Sequence, residues 1–445
     1  MKRVVLNVMP AVFQSVRHLK KIIYIILDGL GDLPLSQLGG KTPLEAAATP
    51  HMDRLAQQGI TGTACTFSPG IAPESDIAVI GLLGYDTNKY YTGRGPLEAF
   101  SEGIRISEGN LALRANFATV DKEGKAIVDR RVNRSLSTEE ATALAREINT
   151  KVTLSGATFE FKNTIGHRAV LVIRGIRGSF SGCITNTDPA YVRQEMYGIA
   201  PRHFDALVKK AMPMPGNEQD AAAQDAASVL NEFIERSHKV LQESEINKRR
   251  VEQGKLPANF ILTRSAGDRL PKFPSVAGTY HMTCGCFVQM PVERGIALLT
   301  GMEIVDVPRS TGHLDVDYPV WAKIAVDALN RFDFLYVHIK GPDEPGHDGN
   351  CADKKAVIEA IDAHLFANLT SKLDLEDHII CVTSDLCTVC EMKAHSALPV
   401  PLLISGGAIK PDGSMSFSEK TAKLGSLGEV RARDILPLLV KYASE

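Results

Sequence analysis

No apolar run in the 445 residues approaches the ~20 that span a bilayer. Charge of neither sign is in excess: 50 Lys and Arg stand against 52 Asp and Glu, for a net charge of −2. Such a balance offers no basic field for nucleic acid and no polybasic patch for a lipid surface. Cysteine is too scattered for a disulfide framework. The eight in a chain of this length read as thiols of a reducing, cytosolic compartment. Internal repeats and low-complexity tracts are absent as well. The N-terminus imitates a signal peptide, with Lys2 and Arg3 ahead of an apolar stretch. Asn7 and Pro10 interrupt that stretch, however, and no small-residue cleavage site follows. Residues 1–20 are expected to form a loose extension.

What is present is the composition of an ordinary globular protein, 44% apolar and 23% charged, long enough for two or three domains. Its most informative stretch is Lys21 to Asp32. Six consecutive apolar residues, rich in β-branched Ile, are continuous rather than alternating, as in a strand buried on both faces. The run ends in Asp28-Gly-Leu-Gly-Asp32, where the glycines free a tight turn and leave Asp28 at the carboxyl end of the strand. Ligands bind at that edge in open α/β sheets. Taken alone, Asp28 would read as an Asx turn.

The same pattern recurs. Phe332 to Lys340 is a second buried-strand pattern, followed by Gly-Pro-Asp343-Glu-Pro-Gly-His347; His378 to Asp385 is a third, and His395 lies just ahead of another apolar run. Thr42-Pro43 and Thr49-Pro50 mark helix starts. Ser75 ends a Pro/Gly loop where a helix begins, a position at which free backbone N–H groups can hold an anion. Between about Ile106 and Ser275 the texture changes to short alternating runs (Ala112 to Val120, Thr158 to Phe161, Ala169 to Ile173), which predict antiparallel strands. Ala221 to Leu241 predicts a long amphipathic helix. The expected fold is α/β, a mainly parallel sheet flanked by helices over 21–106 and 276–445, interrupted by an α+β domain over 107–275.

Three expected core strands thus end in carboxylates, Asp28, Asp343 and Asp385, with His347, His395 and Ser75 in adjoining loops. Carboxylates with imidazoles suit Zn²⁺ or Mn²⁺. Two such ions could activate a serine hydroxyl and clamp a phosphoryl group. Each residue alone has an ordinary structural explanation. All of them at one sheet edge do not.

These motifs resemble the cofactor-independent phosphoglycerate mutases of the archaeal type, in the alkaline phosphatase superfamily. The likeness runs from Lys21 to the C-terminus. It includes Glu74-Ser75-Asp76, Gly93-Arg94-Gly-Pro-Leu-Glu98, Gly166-His167-Arg168, Thr187-Asp188-Pro189, Arg264-Ser-Ala-Gly267, His338-Ile-Lys340 and Gly346-His347-Asp348. It implies an alkaline-phosphatase-like core and interconversion of 3-phosphoglycerate and 2-phosphoglycerate through phosphorylated Ser75. No 2,3-bisphosphoglycerate would be needed, and two divalent ions would be bound, Mn²⁺ first with Zn²⁺, Co²⁺ or Mg²⁺ as alternatives. Asp343, His347 and His395 would hold one ion; Asp28, Ser75 and Asp385 the other. His167, Arg168, Asp188, Arg264 and Lys340 would bind phosphoglycerate. A related phosphatase, a small-molecule phosphotransferase and a weakly active phosphoglycerate-binding protein are the alternatives. The pattern breaks after Asp385, where a metal-ligating His is expected and Leu386 stands, and at Leu398, where Asp is expected. A weakened second site is the expected consequence, unless Cys387 or Cys390 supplies a thiolate instead.

Overall fold

The computed structural model describes residues 19–68, 70–194, 196–199 and 203–445. All but the last two residues of the expected N-terminal extension lie outside them. In chain order the strands are β1 (Lys21–Leu27), β2 (Gly59–Cys65), β3 (Leu111–Val120), β4 (Ile127–Asp129), β5 (Ala157–Asn163), β6 (Arg168–Gly175), β7 (Val192–Gln194), β8 (Tyr197–Ile199) and β9 (Phe260–Gly267). There follow β10 (Cys284–Phe287), β11 (Glu303–Ile304), β12 (Phe334–Ile339), β13 (His378–Thr383), β14 (Cys387–Val389), β15 (Ala394–Ser396), β16 (Val400–Gly406) and β17 (Glu429–Arg431).

Eight of these form one sheet in the order β11-β10-β12-β1-β13-β16-β2-β17. Only β16 runs against its neighbours. β1 lies between β12 and β13, parallel to both. Its alternate residues serve two cores: Ile22, Tyr24 and Ile26 pack with the helices Ser75–Leu82, Pro291–Leu299 and Ala432–Ser444. Ile23, Ile25 and Leu27 pack with the helices Pro50–Gln57 and Leu314–Leu329. A strand with helices on both faces has no solvent side to keep polar, which is why its apolar run is unbroken. The consequence is that the first polar residue after each central strand falls at the sheet edge.

β3, β4, β5, β6 and β9 form a second, antiparallel sheet. The helices Thr138–Lys151 and Ala221–Glu243 cover one of its faces. The helix Arg94–Ser101 covers part of the other, with Ala99 against Ala112, Val170 and Val172. It comes so close at Gly95 that a Cβ there would collide with the Ala112 carbonyl. The expected antiparallel strands and long helix all appear within one or two residues of their expected ends. No helix among the described residues is long and apolar enough to cross a membrane.

The turn after β1 is pinned from below. Lys354, fully buried, donates to Asp32 Oδ2 (2.9 Å), to the Gly31 carbonyl (3.0 Å) and to the Thr388 carbonyl (2.7 Å). All three ammonium protons are used, and Asp32 also accepts from the Cys390 N–H (3.2 Å). Removing one member of a buried pair strands the other charge, which costs about 3–5 kcal/mol. Lys354→Met is therefore expected to lower the unfolding free energy by about that much. Adding Asp32→Asn should recover part of the loss, because the two changes share one interaction. Urea unfolding of both variants checks this, and an unchanged midpoint for Lys354→Met contradicts it.

Candidate active site

Asp28, Asp343 and Asp385 each follow one of the three adjacent parallel strands β1, β12 and β13, so one sheet edge carries all three. Gly29 holds φ at 67°, and a Cβ on it would stand 2.7 Å from the Asp343 Cα. Only glycine lets these two turns approach so closely. Ser384 staples the same edge, donating to the Leu27 carbonyl (2.7 Å) and accepting from the Leu30 N–H (3.1 Å).

Two clusters of potential ligand atoms result. The first joins Asp343, His347 and His395. The His347 Nδ1 lies 3.2 Å from the Lys393 carbonyl and the His395 Nδ1 lies 3.0 Å from the Pro73 carbonyl. A carbonyl only accepts, so both Nδ1 atoms carry hydrogen and both Nε2 atoms turn inward, the orientation of ligating imidazoles. The two Nε2 atoms are 3.1 Å apart and lie 3.5 and 3.6 Å from Asp343 Oδ1. Two imidazole nitrogens and a carboxylate oxygen so gathered are a donor set that suits a divalent cation. Thr388 donates to the same Asp343 oxygen (2.6 Å) and fixes the carboxylate.

The second cluster joins Asp28, Asp385 and His338. Asp28 Oδ1, Asp385 Oδ2 and His338 Nε2 are all buried and have no hydrogen-bond partner among the described residues. One ligand atom from each of the three residues lies within 4.8 Å of the others, and buried polar atoms without partners in such a group fit a bound cation. Between the clusters, the Lys340 ammonium bridges Asp28 Oδ2 and Asp343 Oδ2.

The electrostatics follow from this crowding. Burial and the charge of Asp28 push Asp385 up to about 8. Burial acts on Asp343 in the same sense, but Lys340 and His395 outweigh it and hold the carboxyl well below the usual range. His395 is pushed up to about 9: burial opposes the charge, and contact with Asp343 overcomes it. Burial together with His395 lowers His347.

Ser75 is the buried first residue of its helix, and its loop joins these clusters to the second sheet. Pro73 accepts from His395. Glu74 takes Arg264 on one oxygen (2.6 Å) and Arg94 on the other (3.1 Å). Despite its burial, Arg264, Arg94 and Arg114 bring Glu74 down to about 2. Arg264 is aimed by a bulge: Ser265 sits at φ 57°, its N–H donates to Asn186 Oδ1 (3.0 Å), and the register against β3 shifts there. The Tyr191 ring lies 3.6 Å beneath the guanidinium. Arg114 pairs across the ladder with Arg264 and contacts Glu98 (3.4 Å). Burial and the charge of Arg94 pull Arg114 down to about 9. Burial and Arg168 likewise take His167 to about 3. Asp188 forks onto Arg130 (2.7 and 2.6 Å). Next to it a cleft of about 370 Å³ is lined by Arg131 and Arg134, in a turn where Val132, Asn133 and Arg134 all adopt positive φ.

The structure therefore gathers Asp28, Asp343, His347, Asp385 and His395 at one edge, with His167, Arg168, Asp188 and Arg264 on the second sheet and its loops. Lys340 stands with the carboxylates rather than with the arginines. Cys387 and Cys390 join neither cluster. The Cys387 thiol faces the Leu398 carbonyl (3.6 Å), and burial pushes both thiols up to about 12. Sequence reasoning missed Arg114, Arg130, Tyr191 and His338. For His338 a signal existed, an imidazole near the end of an otherwise apolar buried strand.

A family model described as 2,3-bisphosphoglycerate-independent phosphoglycerate mutase matches residues 56–247. A protein of that name from Aeropyrum pernix is 42% identical over 417 residues, covering 92% of this chain and 96% of its own. One from Thermococcus kodakarensis is 38% identical over 422 residues, covering 95% and 97%. Among solved structures, a Pyrococcus horikoshii protein superposes with a TM-score of 0.77 at 30% identity, covering 96% and 97% of the two chains. A cofactor-independent phosphoglycerate mutase from Thermoplasma acidophilum gives 0.63 at 34%, covering 95% and 100%.

A cation that binds only the folded chain stabilises it by mass action, by about 2.7 kcal/mol at a hundred times its Kd. Adding Mn²⁺ to chelator-treated protein should therefore raise the melting temperature, and a chelator should reverse the rise. His395→Ala should lose part of the increment. Calorimetric melting curves indifferent to Mn²⁺ would contradict the reading of these clusters as cation sites.

Proposed function

The chain belongs to the 2,3-bisphosphoglycerate-independent phosphoglycerate mutase family, and from that premise we propose how its residues carry the reaction. It is an isomerase, and its substrate is a phosphoglycerate. The observation that carries the reading is the loop before Ser75, where Pro73 accepts from His395 of one ligand cluster and Glu74 pairs with Arg264 and Arg94.

We assign Asp343, His347 and His395 to one divalent ion and Asp28, Ser75 and Asp385 to the other. Mn²⁺ is the first choice, with Zn²⁺, Co²⁺ or Mg²⁺ able to use the same donors. Bound there, the ions would lower the pKa of the Ser75 hydroxyl and offset charge on the phosphoryl group in flight.

The chain's own groups do the rest. Ser75 Oγ gives up its proton and attacks the phosphorus of 3-phosphoglycerate, the bond to the C3 oxygen breaks, that oxygen takes up a proton, and phosphoserine and glycerate remain. Glycerate then turns so that its C2 hydroxyl attacks the phosphoserine, which releases Ser75 and forms 2-phosphoglycerate. Arg168 and Arg264, with His167 beside them, are suited to grip carboxylate and phosphate, because guanidinium forks match those groups. Asp188 orients Arg130, and Glu74 orients Arg264. Lys340 would pass from the carboxylates to the substrate phosphate. On this reading residues 107–275 form an inserted substrate-binding domain and 21–106 with 276–445 the core. Glycerate held between them stays out of water, which matters because water would hydrolyse the phosphoserine. The Aeropyrum pernix and Thermococcus kodakarensis relatives both carry the mutase name, which favours neither a phosphatase nor a non-catalytic binder. The eight free thiols suit a cytoplasmic setting.

In a coupled mutase assay with Mn²⁺, Ser75→Ala should show no turnover and no phosphate retained on the protein after incubation with substrate. Full activity in that variant would refute the covalent route. Arg264→Ala should lower kcat/KM by about 10- to 100-fold, the equivalent of losing one charge-assisted hydrogen bond worth about 1.5–3 kcal/mol. An effect below threefold would remove Arg264 from the substrate site.

A further inference from the structure

We infer that His338 supplies the imidazole of the second metal site, in place of the histidine that Leu386 has displaced. The inference rests on the assignment of Asp28 and Asp385 to that site and adds a ligand from a different strand. Leu386 is fully buried and carries no donor atom. The thiols nearest to it in sequence lie elsewhere: Cys387 donates toward the Leu398 carbonyl, and Cys390 packs in a separate cluster with Leu35 and Cys351. The cluster nevertheless has an imidazole.

His338 is the next-to-last residue of β12, level with Ile26 of β1, so it reaches the cluster from the side of β1 opposite to β13. Its Nε2 lies 3.6 Å from Asp28 Oδ2 and 3.9 Å from Asp385 Oδ2. It is 5% exposed, and its Nε2 is one of the three buried polar atoms there with no hydrogen-bond partner. A structural histidine in a strand core would be expected to satisfy both ring nitrogens. This one satisfies only the outer nitrogen, its Nδ1 lying 3.2 Å from the Tyr336 hydroxyl. When Nδ1 donates to the Tyr336 hydroxyl, the inner nitrogen turns its lone pair toward two carboxylates, which is the arrangement of a ligating imidazole. With His338 as its imidazole the site keeps two carboxylates and one imidazole beside Ser75, the same charge that a histidine at position 386 would give.

The test counts metal rather than activity. After dialysis against Mn²⁺, the unmodified protein should hold two equivalents by inductively coupled plasma mass spectrometry. His338→Ala should hold one, with the second bound more weakly by at least about 100-fold, the upper range for losing an outer partner of a ligand. Leu386→His added to His338→Ala should restore the second equivalent. Asp385→Ala is the companion: if it falls to one equivalent while His338→Ala keeps two at unchanged affinity, His338 is not a ligand and the second site stands without it. If Asp385→Ala also keeps two, the assignment of the site itself fails and the inference with it. Should His338→Ala not fold, Tyr336→Phe carries the test, since it keeps the imidazole and removes its outer partner. Second-metal binding weakened by about 10- to 100-fold supports the inference, and unchanged binding overturns it.

Discussion

Three buried carboxylates at the ends of neighbouring strands repel one another, and the rest of the site is a set of answers to that repulsion. Asp28 and Asp385 are fully buried, and Asp343 nearly so. Water cannot screen them, so positive charge must stand among them. In the chain itself Lys340 takes that place, bridging Asp28 and Asp343, while burial and the charge of Asp28 push Asp385 toward its neutral form. Two divalent ions answer the same demand more fully, and the inward-turned imidazoles are placed to share in holding them.

The fold produces this crowding as a by-product of its sheet. Because β12, β1 and β13 are parallel neighbours covered by helices on both faces, their carboxyl ends open at one edge, and whatever polar residues follow them meet there. The turns are then locked by groups that bind no substrate: Lys354 and Asp32 beneath the β1 turn, Ser384 across it, and Thr388 on Asp343. The loop before Ser75 extends the same logic outward. Pro73 holds a histidine of one cluster, and Glu74 holds Arg264 of the second sheet and Arg94 of the helix that packs on it. Preorganised charge of this kind costs no rearrangement at the moment of transfer.

Much of this was legible in the sequence, and the reason is periodicity. A doubly covered parallel strand leaves an unbroken apolar run, so Ile22–Leu27 and its two partners stood out, with their terminal aspartates. The polar residues Arg114 and Asn116 on one face of Ala112–Val120 marked the antiparallel sheet, whereas Ala169–Ile173 is apolar throughout because both of its faces are covered. The residues that escaped are those whose role depends on distant partners. Arg114 reads as an ordinary strand residue until Arg264 is paired with it across the ladder. Tyr191 gains meaning only from lying under a guanidinium. His338 was quoted within a motif, yet its direction is a matter of strand register: a shift by one residue would turn it to the opposite face. The substitution at Leu386 was plain from the sequence. Its compensation lies forty-eight positions earlier and becomes visible only when β12 and β13 are set on either side of β1.

The central claim is that the two clusters are two metal sites flanking Ser75. Anomalous diffraction from crystals of the Mn²⁺-loaded protein, collected at the manganese edge, tests it most directly. The account predicts two peaks, one enclosed by Asp343, His347 and His395 and the other by Asp28, His338 and Asp385. A single peak, or manganese bound away from these carboxylates, would contradict it.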